Sequence, residues 1–188
     1  MANSKSKSST HLSLATAFLI LFCAQSAAAQ QSNAPRSLPQ QVLSQAPGIH
    51  PFGKGRHTLW GIRLYDATLW IVGPQWSAGG PHALDIEPGR PVTAEALVKH
   101  AIDEMRDLRL GDESKLRSWQ AEMRKVVPSV KEGDQVVIFC SPENRTFVYF
   151  NDSNAGEIDD RSFCPAVMSV WLHPKTKHRT MRKSLLRQ

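Results

Sequence analysis

Residues 53–72, GKGRHTLWGIRLYDATLWIV, are rich in leucine, β-branched and aromatic side chains, with few charges. Trp60, Ile62 and Leu64 alternate with Arg63 and Tyr65, the period of two that marks a strand with two unlike faces. Near Asp66 and Ala67 the apolar set changes parity, because Trp70 and Val72 join Leu69 and Ile71. That pattern predicts a bulge or burial on both faces. Residues 57–72 therefore read as one long or bent strand, or two in succession.

Outward from this stretch the periods alternate between two and 3.6. Residues 73–81 carry turn chemistry, and residues 82–86 read as a further strand. Thr93 is a suitable N-cap for a helix whose apolar stripe is Leu97, Val98, Ala101, Ile102, Met105 and Leu108. Asp112 caps a second helix with a stripe of Leu116, Trp119, Met123, Val126 and Val127, stopped by Pro128. The short link between the two implies a helix hairpin. Strand signals return at residues 135–140 and 146–150, joined by a loop of hairpin length. Residues 151–156 read as a turn. Residues 161–172 read as a helix with Pro165 in its first turn, and residues 176–186 as a basic helix presenting Met181, Leu185 and Leu186 inward.

The amino-terminal 29 residues have the layout of a secretory signal peptide: Lys5 and Lys7, an apolar run from Leu14 to Ala24, and Ala27–Ala29 at the cleavage position. At about 1.5 Å rise per residue, that run is too short to remain as an anchor in a hydrocarbon core of about 30 Å. The bulky Phe22 before Cys23 argues against a lipoprotein processing site. The expectation is a protein acting in the periplasm or secreted, with a flexible linker over residues 30–41, rich in Gln, Ser, Asn and Pro, and one folded domain over residues 42–188. No later apolar run is long enough to cross a bilayer.

The net charge of +6 suggests a polyanion partner until the charges are placed along the chain. Residues 30–172 hold 15 basic and 17 acidic side chains, a net −2, whereas residues 173–188 hold six basic and no acidic ones. The body is therefore not built for nucleic acid, and the basic tail reads as a solvated helix face or as a contact to an anionic surface. Cys140 and Cys164 remain after leader removal. An exported protein permits them to pair, but their apolar surroundings favour two buried free cysteines.

Familiar catalytic signatures are missing. There is no phosphate-binding glycine loop, no G-x-S-x-G elbow and no CxxC, so no cofactor is expected. His100 and Glu104 share a helix face at i, i+4, but two ligands do not make a stable metal site, and none is assigned. Arg63 and Tyr65 stand out as polar groups on an apolar strand. One reading makes them the anchor of an acid-binding cleft, with a guanidinium and a phenol both donating to a carboxylate. The plainer reading pairs Arg63 with Asp66 or a glutamate at the sheet surface.

Several pieces in order carry a further signal: Gly53-x-Gly55-Arg56, Leu59-x-Gly61-Ile62-x-Leu64-Tyr65-Asp66-Ala67-x-Leu69-Trp70, Asp103–Arg106, Gly133–Asp134, Asn151, Gly156–Ile158, Phe163 and Trp171-Leu172-x-Pro174-x-Thr176. Together they resemble the bacterial chalcone isomerase-like family of exported proteins. The resemblance implies an α+β fold, an open-faced sandwich in which a large antiparallel sheet is covered by a helical layer over a cleft. It also implies either isomerase chemistry, as in plant chalcone isomerases, or non-catalytic binding of fatty acids.

The plant enzymes use an arginine, a strand threonine, and a tyrosine and asparagine of the helical layer. Aligned on Tyr65, this chain has Trp60 in place of the threonine. Its helix over residues 93–108 has neither tyrosine nor asparagine, and residues 48–52 have no arginine. Loss of even one oxyanion donor typically costs about 10²-fold or more in rate. The expectation is a non-catalytic protein that binds a small apolar or amphipathic carboxylate, fatty-acid-like, in a sheet–helix cleft through Arg63, Tyr65, Arg56 and Trp60. An isomerase (intramolecular lyase) with an altered active site and a protein-interaction module are the alternatives.

Overall fold

Residues 57–72 do not form a single strand. Strand β1 (His50–Leu59) turns back at Trp60 and Gly61 into β2 (Ile62–Ile71), with Leu59 opposite Ile62. Trp60 and Gly61 have φ of 50° and 78°, both positive as a tight type I′ hairpin requires. Tryptophan is not a usual residue for that position, so the turn lacks the Asn-Gly type of signal that a sequence reading looks for. The computed structural model describes residues 36–188, and the expected leader, residues 1–29, lies outside the described residues.

The hairpin starts a six-stranded antiparallel sheet in which every strand pairs with its neighbours in sequence. The others are β3 (His82–Pro88), β4 (Val136–Cys140), β5 (Thr146–Phe150) and β6 (Ser153–Ile158). Strand β6 occupies most of the segment read as a turn; its Ser153, Asn154 and Glu157 are exposed, so the apolar alternation of a strand is missing. The turn into it is stapled by side chains: the Gln135 amide donates to Asn151 Oδ1, and Asn151 Nδ2 donates to Asp134 Oδ1.

Four helices cover one face of the sheet: α2 (Ala94–Asp107), α3 (Glu113–Val126), α4 (Phe163–Leu172) and α5 (Arg179–Leu186). The expected caps are in place, with Thr93 accepting from the Ala96 amide and Asp112 from the Lys115 amide. The charged α5 buries Met181, Leu185 and Leu186 against β1. Only glycine permits that approach, since a Cβ on Gly53 would lie 2.1 Å from the Leu185 carbonyl oxygen.

A shorter helix, α1 (Gln40–Gln45), lies on the opposite face. There Leu38, Val42, Ala46 and Ile49 pack against Trp70, Ala83, Phe139 and Tyr149. The parity change in β2 is therefore burial on both faces over residues 66–71, just past a register irregularity that leaves Leu64 without a partner in β1. The linker expected over residues 30–41 is corrected in its described part: Leu38 is buried, Arg36 donates to the Gly133 carbonyl, and Gln135 donates to the Ser37 carbonyl. One well-placed leucine supplies the packing that the polar composition of that segment conceals.

Cys140 and Cys164 form a disulfide, with Cα atoms 5.8 Å apart. This corrects the expectation of two free thiols. The sheet-to-helix crossing places the end of β4 beside the first turn of α4, a proximity that apolar surroundings alone do not reveal. No described helix is long and apolar enough to cross a membrane.

Candidate functional site

Between the sheet and helices α2, α3 and α4 lies a cavity of about 150 Å³. Its walls are almost wholly apolar: Ile86, Ile138, Val148 and Ile158 come from the sheet, and Leu97, Met123, Phe163 and Val167 from the helices. The alternation of β2 brings Tyr65 to the same face as Ala67 and Leu69, so its ring closes one wall of the cavity.

The polar lining groups are few: Tyr65, Trp171, His100 and His178. Trp171 Nε1 donates to Tyr65 Oη at 3.0 Å. Indole N–H can only donate, so the phenol oxygen accepts and its own proton remains to be placed. Among the described residues no protein group accepts it. Burial raises the Tyr65 pKa, with the nearby Glu104 charge adding to the rise and the Trp171 hydrogen bond opposing it. The phenol is thus a proton-bearing donor facing an apolar space.

Around that phenol sits a cluster from three elements. His57 of β1 packs against Tyr65 and edge-on against His178, with ring centroids 5.2 Å apart in each case. His178 precedes α5 and is positioned by Thr176, whose hydroxyl donates to the Val170 carbonyl at 2.6 Å and accepts from the His178 amide at 3.2 Å. Burial lowers the pKa of both His57 and His178, although the Glu104 carboxylate pulls that of His178 the other way. Glu104 is 1% exposed, and its Oε1 lies 2.7 Å from Lys177 Nζ.

Of the four residues expected to bind ligand, only Tyr65 lines the cavity. Arg56 is bound through Nε and Nη2 to both oxygens of Asp66, at 2.7 and 3.0 Å. Arg63 donates to Asp66 Oδ2 at 3.1 Å and lies 3.5 Å from Glu132. Burial alone would raise the Asp66 pKa, but the Arg56 hydrogen bond and the two guanidinium charges outweigh it and hold the carboxyl below its usual range. Both arginines are committed to this sheet-surface network. Trp60 is 92% exposed at the hairpin tip, far from any cavity role. The site assignment is therefore corrected at Arg56, Arg63 and Trp60, because a strand's period does not tell which polar neighbour claims an arginine.

His100 and His178 line the cavity without being marked in the sequence as ligand-binding residues. His100 has a partial signal in its i, i+4 spacing to Glu104, whereas His178 has none, since it arrives from a loop 78 positions away in sequence. A second buried cluster, His82 with Cys140 and Cys164, offers less chemistry because both sulfurs are joined in the disulfide.

An antiparallel sheet, a helical layer and an apolar cavity between them define an α+β protein of the open-faced sandwich class. The family model of chalcone isomerase-like proteins matches residues 77–187, and the chain belongs to that family. The match begins after the β1–β2 hairpin, so the stretch 53–72 lies outside it. Among solved structures, the crystal structure of a fatty-acid binding protein of Arabidopsis thaliana is similar, with a TM-score of 0.57 at 11% identity. The likeness covers 75% of this chain and 88% of that one, and at such identity it shows the fold. No curated protein matches the chain in sequence.

Proposed function

We propose that the protein binds a small amphipathic carboxylic acid, fatty-acid-like, in the sheet–helix cavity and holds it without chemical change. The observation that carries this reading is the Tyr65 phenol on a mostly apolar wall, which accepts from Trp171 and has no protein acceptor for its own proton among the described residues. The fatty-acid binding activity named for the similar Arabidopsis protein supports it. Tyr65 O–H holds the head group, with the His100 and His178 side chains beside it on the cavity wall, in the place expected for Arg56 and Arg63. An apolar cavity of this size holds a molecule of about benzene's bulk. A chain of about six carbons therefore fits better than a long acyl chain, and each buried methylene contributes about 0.8 kcal/mol.

Calorimetric titration with hexanoic acid and hexane tests the head group and chain separately. Tyr65→Phe is expected to weaken acid binding by about 1 kcal/mol, roughly fivefold, and to leave hexane binding unchanged. Equal acid affinity in the variant and the parent would remove Tyr65 from the site. Flavanone formation from a chalcone above background would replace binding by catalysis.

The same proposal places the protein in the periplasm or outside the cell. The leader pattern motivates it, and a disulfide suits an oxidising compartment. Intact-mass measurement of the protein from fractionated cells should find cleavage after Ala29 in the exported fraction. A cytoplasmic chain retaining the leader would overturn it.

A further inference from the structure

We propose that His100, Glu104 and His178 bind a divalent transition metal of the zinc class at the polar end of the cavity. His100 and Glu104 lie one turn apart on α2, and this pair alone is too few ligands. Tertiary structure brings the third: the Thr176 anchor and the docking of α5 on Gly53 and Gly55 place His178 over the same carboxylate.

The distances suit a single ion. His178 Nε2 and His100 Nε2 lie 3.5 and 3.6 Å from Glu104 Oε1, and the three ligand atoms are all within 4.8 Å of one another. Zinc bonds of about 2.0–2.1 Å in tetrahedral geometry separate ligand atoms by about 3.4 Å. Only small side-chain shifts close the remaining gap.

An independent observation points to a ligand. The His178 side chain is 9% exposed, and its Nε2 is buried without a hydrogen-bond partner. A buried nitrogen left in that condition is costly, and coordination would satisfy it. The ring is held by His57 packed against its edge and by the backbone turn at Thr176, so Nε2 faces the carboxylate with little freedom to turn away.

Lys177 is the competitor. Its ammonium occupies Glu104 Oε1 at 2.7 Å, yet the side chain is 57% exposed and Asp107 waits 3.5 Å away to receive it. Metal entry therefore exchanges one cation for another on a buried carboxylate. The His₂Glu set leaves one coordination position for water or a ligand atom, and both imidazoles belong to the cavity wall. The site stands on these side chains whether or not the cavity binds an acid.

Tag-free protein stripped with a chelator should bind Zn(II) with one-to-one stoichiometry by calorimetry, and Co(II) with the intense visible bands of a four-coordinate ion. His100→Ala, whose ring is largely exposed and carries little of the fold, should weaken Zn(II) binding by about tenfold or more, as should His178→Ala. Lys177→Met should bind at least as tightly as the parent, and His50→Ala should be unchanged. Thermal melts of the metal-free variants confirm that each is folded. The proposal fails if the parent takes up no stoichiometric Zn(II), or if folded His100→Ala titrates like the parent, which would place the ion elsewhere.

Discussion

Replacing Cys140 and Cys164 together by alanine should lower the stability of the protein by about 3 kcal/mol. The bridge closes a loop of 24 residues in sequence separation, and the chain-entropy account of such a loop gives about 3 kcal/mol of constraint on the unfolded chain. Both residues are almost fully buried, so alanine avoids adding an unsatisfied polar group but leaves two small voids that add to the loss. The bridge also ties β4 to the first turn of α4, the helix that carries Phe163, Val167, Val170 and Trp171 on the cavity wall. Urea titration of the parent, with and without reductant, and of the double variant measures the effect. The reduced parent should have a lowered midpoint and the double variant one at least as low, and amide exchange in α4 should quicken. Coincident curves for oxidised and reduced parent would show that the bridge contributes nothing.

Asp85 presents the opposite case, a group that destabilises the fold as it ionises. It lies on β3, on the face covered by α1, is 1% exposed, and neither carboxylate oxygen has a hydrogen-bond partner. Burial pushes its pKa up to about 7. An unfolded aspartate titrates near 3.9, so the folded state is fully favoured below about pH 4 and loses stability as pH rises toward and through about 7. The total swing is on the order of 4 kcal/mol. Asp66 and Asp160 act in the other direction: their pKa values are held low, so their stabilisation is present above about pH 4 and is lost in acid.

Asp85→Asn keeps the shape and removes the charge. It should stabilise the protein by about 2 kcal/mol at about pH 8, less than the full swing because a buried amide also wants partners. Near pH 5 the two proteins should be close to equal. Denaturant midpoints at the two pH values test this, and a variant that is equally destabilised at both would show that Asp85 is satisfied and ionised in the fold.

Local features of the chain were legible wherever one short-range interaction decides the structure. Thr93 and Asp112 cap helices because their side chains reach amides three residues away, and Pro165 is tolerated in a first turn because it needs no donor there. The order of strands and helices and the inward faces of α2, α3 and α5 followed from periodicity for the same reason, whereas the α+β sandwich came from the family likeness. Turns made by unusual residues carry no such local signal: Trp60 and Gly61 form a hairpin without a turn dipeptide, and β6 has little apolar alternation to mark it.

By itself, the sequence determined the alternation of strands and helices, the caps, the family likeness and the presence of Tyr65 on an apolar strand. Only the tertiary structure decided which polar groups meet. Arg56 and Arg63 were as plausible in a cleft as Tyr65 until Asp66 was seen to claim both. Cys140 and Cys164 became partners when the end of β4 met α4, and His178 joined His100 and Glu104 when α5 docked on two glycines. The physical reason is the range of the forces involved. Propensity and capping act over a few residues, whereas a salt bridge, a disulfide or a cluster of ligands depends on distances between segments that are remote in sequence.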